Sequence, residues 1–176
     1  MKRMLLLIVV HLLASNACAG DIDVPVLPPL KVDLEQVVAT GVVQPVDGIT
    51  SAGQPDAAAF KVFAENDYGA VIDLRTEGES RGLDEKAVVE GLGMDYVSLP
   101  IGSGGISFEN AEALDKLIKS YDEPILVHCG SANRVGALLA LRASQQGADN
   151  EAAIEIGKKG GLTRLEQQVR EALGEK

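Results

Sequence analysis

Three short apolar runs constrain this chain more than any other feature: AVIDL at 70–74, YVSL at 96–99 and ILVH at 125–128. Runs of this length suit strands covered on both faces better than helices. Helical segments lie between and after them. Residues 83–90 are closed by Gly91, residues 108–120 put Leu114, Leu117 and Ile118 on one face, and 135–146, 150–159 and 163–173 form a helical tail. Ahead of the first run, PDAAAFKVFAE at 55–65 opens on a proline and an aspartate, carries Ala58, Phe60, Val62 and Phe63, and stops near Asn66-Asp67, which reads as another helix. Strands alternating with helices predict an α/β domain with a central, mostly parallel sheet flanked by helices. Sites in such sheets lie beyond the carboxyl ends of the strands. Three segments meet that condition: 75–81, 100–107 and 129–134.

The 176 residues support one core rather than two. Lys2 and Arg3, the apolar run from Met4 to Leu13 and the small residues Ala17-Cys18-Ala19 read as a secretory signal peptide spanning 1–19, cleaved after Ala19. The apolar run is shorter than the roughly 20 residues a membrane-spanning helix needs, so no integral membrane segment is expected after processing. A lipoprotein cleaved before Cys18 is the alternative. Export places the mature chain in the periplasm or outside the cell. Residues 20–47, with Pro25, Pro28, Pro29 and Pro45, read as an extended arm, 32–38 being a candidate short helix, and 48–176 as the compact domain. The formal net charge is −10, and losing Lys2 and Arg3 makes the chain more acidic still. Such a surface is repelled by nucleic acid and by anionic lipid, and neither is expected as a partner.

Cleavage also leaves Cys129 and His128 as the one cysteine and the one histidine, both inside VHCGSANRVGALLAL. An internal disulfide is then impossible, and Cys129 is either a small buried hydrophobe or a reactive thiol. Its position argues for reactivity. A strand that ends in cysteine, turns through small residues and enters a helix aims backbone N–H groups and the positive helix end at one point, where an anion binds. The same field favours a thiolate, the nucleophilic form. Arg134 adds a planar fork matched to two oxygens of a phosphate or sulfate. No Cys/His set stands at metal-ligand spacing, and no metal or cofactor is expected.

These residues resemble the His-Cys, loop, Arg, helix element of cysteine-dependent phosphatases of the tyrosine and dual-specificity class. ITSAGQPD, YGAVIDLRTEGE and MDYVSLPI extend the likeness across about 48–173 to a bacterial branch that includes the phosphatase-like domain of beta-lactamase-hydrolase-like proteins. The resemblance implies a phosphatase-type fold with the Cys loop between the last core strand and a helix. It implies attack by Cys129 on phosphorus with a phosphocysteine intermediate, phosphoryl oxygens held by Gly130, Ser131, Ala132, Asn133 and Arg134, and His128 fixing the cysteine and lowering its pKa. The substrate would be a phosphorylated small molecule or protein, with phosphotyrosine or another aryl phosphate favoured.

The sequence departs from that pattern at three places. Four residues rather than five separate Cys129 from Arg134, Val135 stands where a hydroxyl residue usually follows the arginine, and 100–107 (PIGSGGIS) lacks the general-acid carboxylate. Asp73 is the candidate replacement acid, with Glu77 and Glu79 nearby. Asp73 and Arg75 can equally pair and cap the turn they flank. The four-residue spacing also resembles that of single-domain rhodaneses, which carry sulfur as a cysteine persulfide, although no Gly-His-Ile segment follows. A third reading is a non-catalytic anion-binding pseudophosphatase. Ser131 and Asn133 can serve as turn formers, Gly102, Gly104 and Gly105 as a mobile loop or lid, and Lys158, Lys159 and Arg164 as a solvated face.

Overall fold

A computed structural model describes residues 39–40, 44–46 and 49–174. The signal peptide and the candidate helix at 32–38 lie outside the described residues. The chain runs β1 (Ala39–Thr40), β2 (Gln44–Val46), β3 (Ile49–Ala52), β4 (Gln54–Pro55), α1 (Ala57–Glu65), β5 (Ala70–Asp73), α2 (Glu85–Gly91), β6 (Asp95–Ser98), α3 (Phe108–Ile118), β7 (Ile125–His128), α4 (Asn133–Gln145), α5 (Asn150–Lys159) and α6 (Glu166–Ala172). The main sheet has the order β2-β3-β7-β5-β6, with β3, β7, β5 and β6 parallel and β2 antiparallel at one edge. β1 and β4 form a separate antiparallel pair.

The three expected strands are all present. Four more were not expected from periodicity: β1 and β4 of the small pair, and β2 and β3 of the main sheet. ITSA is a core strand, β3, buried at every position. Gln44–Val46, assigned from sequence to the extended arm, is the edge strand β2, and the boundary expected at 48 falls inside the β2–β3 hairpin. Pro45 suits an edge, because a proline has no N–H to give to a further strand.

Alternation along the strands divides the core into two layers. Ile72, Ile125 and Val127 face Leu114 of α3, Leu138 and Leu141 of α4, and Ile154 of α5. Val71 and Leu126 face Phe60 and Phe63 of α1 and Val89 of α2. Burying each of those phenylalanines contributes roughly 2–3 kcal/mol. Local chemistry starts the helices: Asp56, Asp84, Ser107 and Asp149 accept N–H bonds at the starts of α1, α2, α3 and α5.

Register aligns the carboxyl ends of the parallel strands, pairing Ala52 with His128, His128 with Asp73 and Asp73 with Ser98. The chain leaves β5 for β6 on one side and returns to β7 on the other, so the order reverses between β5 and β7. The loop after β5 and the loop after β7 flank that crevice. Over it lies the 160–165 turn, which α4 and α5 hold by close contact. A Cβ on Gly136 would sit 2.2 Å from Leu162 N and 2.5 Å from Gly157 O, so only glycine admits this approach. Ser51 Oγ anchors the turn to β3 by donating to Gly160 O at 2.6 Å.

Candidate active site

The segment after β7 turns sharply. Ala132 takes a left-handed conformation, φ 60°, uncommon for a residue with a side chain, and α4 begins at the next residue with no side-chain cap. The first-turn N–H groups of a helix have no intrahelical acceptor, and here no capping oxygen replaces one. This is the arrangement expected of an anion-binding turn. Cys129 lies at its base, 1% exposed, with its N–H donating to Ala52 O at 3.3 Å. Ser131, Asn133 and Arg134 line a cleft of about 290 Å³ above it.

Arg134 is fixed from three directions. Its Nη1 donates to Glu79 Oε1 at 2.7 Å, to Ile101 O at 3.0 Å and to Leu74 O at 3.3 Å, and its Nη2 donates to Glu79 Oε2 at 2.6 Å. The bidentate guanidinium pushes the Glu79 carboxyl down to about 2. In return the Glu79 hydrogen bonds, with the Cys129 side chain adding to them, hold Arg134 above its ordinary pKa. Glu79 is the one carboxylate lining the cleft. Glu77 is exposed and outside it.

Asp73 occupies a different place from that expected of a proton donor. Its side chain is 0% exposed. It accepts from Arg75 N at 2.8 Å, Arg81 Nε at 2.6 Å and Tyr96 Oη at 2.8 Å, and it does not line the cleft. Burial, followed by the Asp73 carboxylate, pushes Tyr96 up to about 12. This is the turn-capping alternative, with one change: the guanidinium paired to Asp73 belongs to Arg81. Arg75 instead bonds Gln54 and the Ser80 carbonyl and lies 3.6 Å from Glu79.

A 2.7 Å hydrogen bond joins His128 Nε2 to Glu85 Oε1, both side chains buried, and Gln54 Nε2 donates to Glu85 Oε2 at 2.7 Å. The ring of His128 packs edge-on against Phe60, 6.2 Å between centroids. The residue before Cys129 is thus a buried histidine held by a carboxylate 43 residues earlier in the chain. Asp73, Glu85 and His128 also bring ligand-type atoms within 4.8 Å of one another, a set that sequence spacing did not disclose. Protein donors already engage both carboxylates of the set, and the Arg81 guanidinium supplies the positive charge beside Asp73, so we assign the cluster to hydrogen bonding.

ITSAGQPD thus acquires a physical account. Thr50 Oγ1 meets Tyr68 Oη at 2.5 Å, Ser51 holds the 160–165 turn, Gln54 bridges Arg75 and Glu85, and Asp56 caps α1. Gln54, Arg81 and Glu85 are not among the expected site residues, because their roles arise only from contacts made across space. Arg164, expected on a solvated face, is exposed and also lines the cleft that Arg134 lines.

The model of the phosphatase-like domain of beta-lactamase hydrolase-like proteins matches residues 45–148. The chain belongs to that family. A beta-lactamase hydrolase-like protein of Agrobacterium fabrum is 28% identical over 119 residues, which cover 65% of this chain and 28% of that protein. One from Xylella fastidiosa is 33% identical over 94 residues, 51% of this chain and 22% of its own length. The chain therefore spans about a quarter of the curated relatives it matches. Among solved structures, the DUF442 protein of Shewanella putrefaciens CN-32 aligns with a TM-score of 0.60 at 22% identity, covering 80% of this chain and 89% of that one. TpbA of P. aeruginosa, in complex with pTyr, aligns with a TM-score of 0.55 at 20% identity, covering 72% and 76%. At these identities the structural likeness establishes the fold, which is that of the cysteine-dependent phosphatases. Among the described residues no helix is long and apolar enough to cross a membrane.

Proposed function

We propose that this domain hydrolyses phosphomonoesters through Cys129, with Arg134 and the amides of residues 130–134 holding the phosphoryl oxygens. The observation that carries the reading is the Arg134 guanidinium, oriented in advance by Glu79 and two backbone carbonyls beside Cys129 and opening on a cleft. Preorganised charge of this kind favours the transition state because it needs no rearrangement during reaction. The step is displacement at phosphorus: the Cys129 sulfur forms a bond to phosphorus as the bond to the leaving oxygen breaks. Water then attacks the phosphocysteine, freeing phosphate and returning the thiolate.

The cleft also bears on the substrate. Its lining carboxylate, Glu79, is bound by Arg134 and stays ionised down to about pH 2, so it has no proton to give the leaving group near neutrality. A positioned acid is typically worth about 10² to 10⁴ in rate, and without one a leaving group that is stable as an anion is favoured. Aryl phosphates, phosphotyrosine included, meet that condition and alkyl phosphates do not.

Purified protein assayed with p-nitrophenyl phosphate and an alkyl phosphate tests this. The expected result is weak hydrolysis of the aryl ester, at least about tenfold above the alkyl ester, and its loss in Cys129→Ser. Activity unchanged in Cys129→Ser would overturn the nucleophile. A gain of one sulfur atom on Cys129 after thiosulfate, without aryl phosphate turnover, would replace the reading with sulfur transfer. The proposal includes export, and N-terminal sequencing that found Met1 retained on the mature protein would overturn that part.

A further inference from the structure

The described residues hold six arginines, and five of them are ion-paired: Arg75 and Arg134 with Glu79, Arg81 with Asp73, Arg142 with Asp115, and Arg170 with Glu151 and Glu166. Arg164 is the exception. Among the described residues it makes no hydrogen bond or ion pair, in a chain whose acidic residues outnumber its basic ones by 26 to 16. It lines the same cleft as Arg134. The charged lining of that cleft is Glu79, Arg134 and Arg164. Glu79 is spent on Arg134 through both oxygens, so the uncompensated positive charge belongs to Arg164.

Its position is built from the anion-binding turn. Asn133 Oδ1, one residue before Arg134, accepts from Thr163 N at 2.8 Å, Thr163 Oγ1 at 3.2 Å and Leu165 N at 3.4 Å. Arg164 is thus bracketed on both sides by residues bonded to one oxygen of the turn, and Asn133 is itself buried. The backbone that carries Arg164 is tied to the turn by that linkage and follows the tight α4–α5 contact at Gly136.

We propose that Arg164 is a second anion contact, and that this site prefers substrates carrying a second phosphate beside the one that Arg134 holds. The inference rests on the anion cradle proposed above. A monophosphate offers one anionic group, which Arg134 takes, whereas a diphosphate or a neighbouring bisphosphate carries a second for Arg164 in the same cleft.

Calorimetric titration of the whole protein at fixed ionic strength, with inorganic phosphate and with pyrophosphate, tests it. Pyrophosphate should bind about tenfold more tightly, the gain expected from one exposed charge-assisted contact. Arg164→Ala should weaken pyrophosphate binding about tenfold and phosphate binding by no more than about twofold. Lys159→Ala removes the same charge from an exposed site outside the cleft and should leave the ratio unchanged. Equal losses in Arg164→Ala and Lys159→Ala would reduce the effect to general charge and overturn the contact. Equal affinity for the two anions in the unmodified protein would also overturn it. Binding of neither anion would remove the cradle and this inference together. Absence of Cys129-dependent hydrolysis with the Arg164 effect intact would overturn the catalytic reading alone and support the second contact.

Discussion

Glu79→Gln removes the charge that positions Arg134 while keeping the side chain's shape. Its cost can be approached from two sides. Two hydrogen bonds at 2.6 and 2.7 Å join the pair, with side chains 18% and 32% exposed. That exposure places it between surface pairs, worth about 0–1 kcal/mol, and bonds to charged groups in drier settings, worth about 1.5–3 kcal/mol. The Glu79 carboxyl falls from 4.5 to about 2, which at about 1.4 kcal/mol per pH unit sets a ceiling of about 3 kcal/mol. Solvent screening brings this to about 2 kcal/mol, or a Tm lower by about 5–8 °C in a domain of this size. The sign of the pH dependence follows from the depressed value. The stabilisation is fully present above the unfolded carboxyl's pKa and is lost as pH falls through about 2. Urea denaturation of both proteins at pH 7, 4.5 and 3 should give a wild-type advantage that is nearly whole at the first two values and less than half at pH 3. The variant should also raise KM for aryl phosphate, since Arg134 loses its brace. A difference that is zero at pH 7, or as large at pH 3 as at pH 7, refutes the reasoning.

Two further substitutions probe the scaffold. Gly136→Ala would place a Cβ 2.2 Å from Leu162 N, a backbone atom that cannot swing aside. It should cost at least about 3 kcal/mol, read as a Tm drop of about 10 °C or as insoluble protein, and a wild-type Tm would show that the α4–α5 approach is looser than described. Glu85→Ala strips the acceptor from His128 Nε2, leaving one buried group unsatisfied at a cost of about 1–3 kcal/mol, while Gln54 Nε2 loses one bond and keeps that to Pro55 O. The expected loss is about 2 kcal/mol by urea denaturation, and a loss under about 0.5 kcal/mol would count against the buried Glu85–His128 bond as a stabilising contact.

The secondary structure was legible because its signals are local. AVIDL, YVSL and ILVH became β5, β6 and β7, and every helix expected from 55–65 onward is present, because apolar period and capping residues act within a few positions. The Cys129 turn was legible for the same reason: strand, small residues, arginine and helix are contiguous. β2 and β3 were not, since three- and four-residue strands carry too little period, and ITSA shows its role only beside β7.

By itself the sequence determined an α/β domain with a mostly parallel sheet and one cysteine–arginine turn at its carboxyl edge. The tertiary structure decided which distant side chains complete that turn. Glu79 reaches Arg134 across 55 positions, Glu85 reaches His128 across 43, and Asn133 brings in the segment bearing Arg164 across 30. It also moved Asp73 from candidate acid to the buried partner of Arg81 and Tyr96. A carboxylate's role depends on the charges and donors that surround it in space, and strand register, not chain order, sets those neighbours.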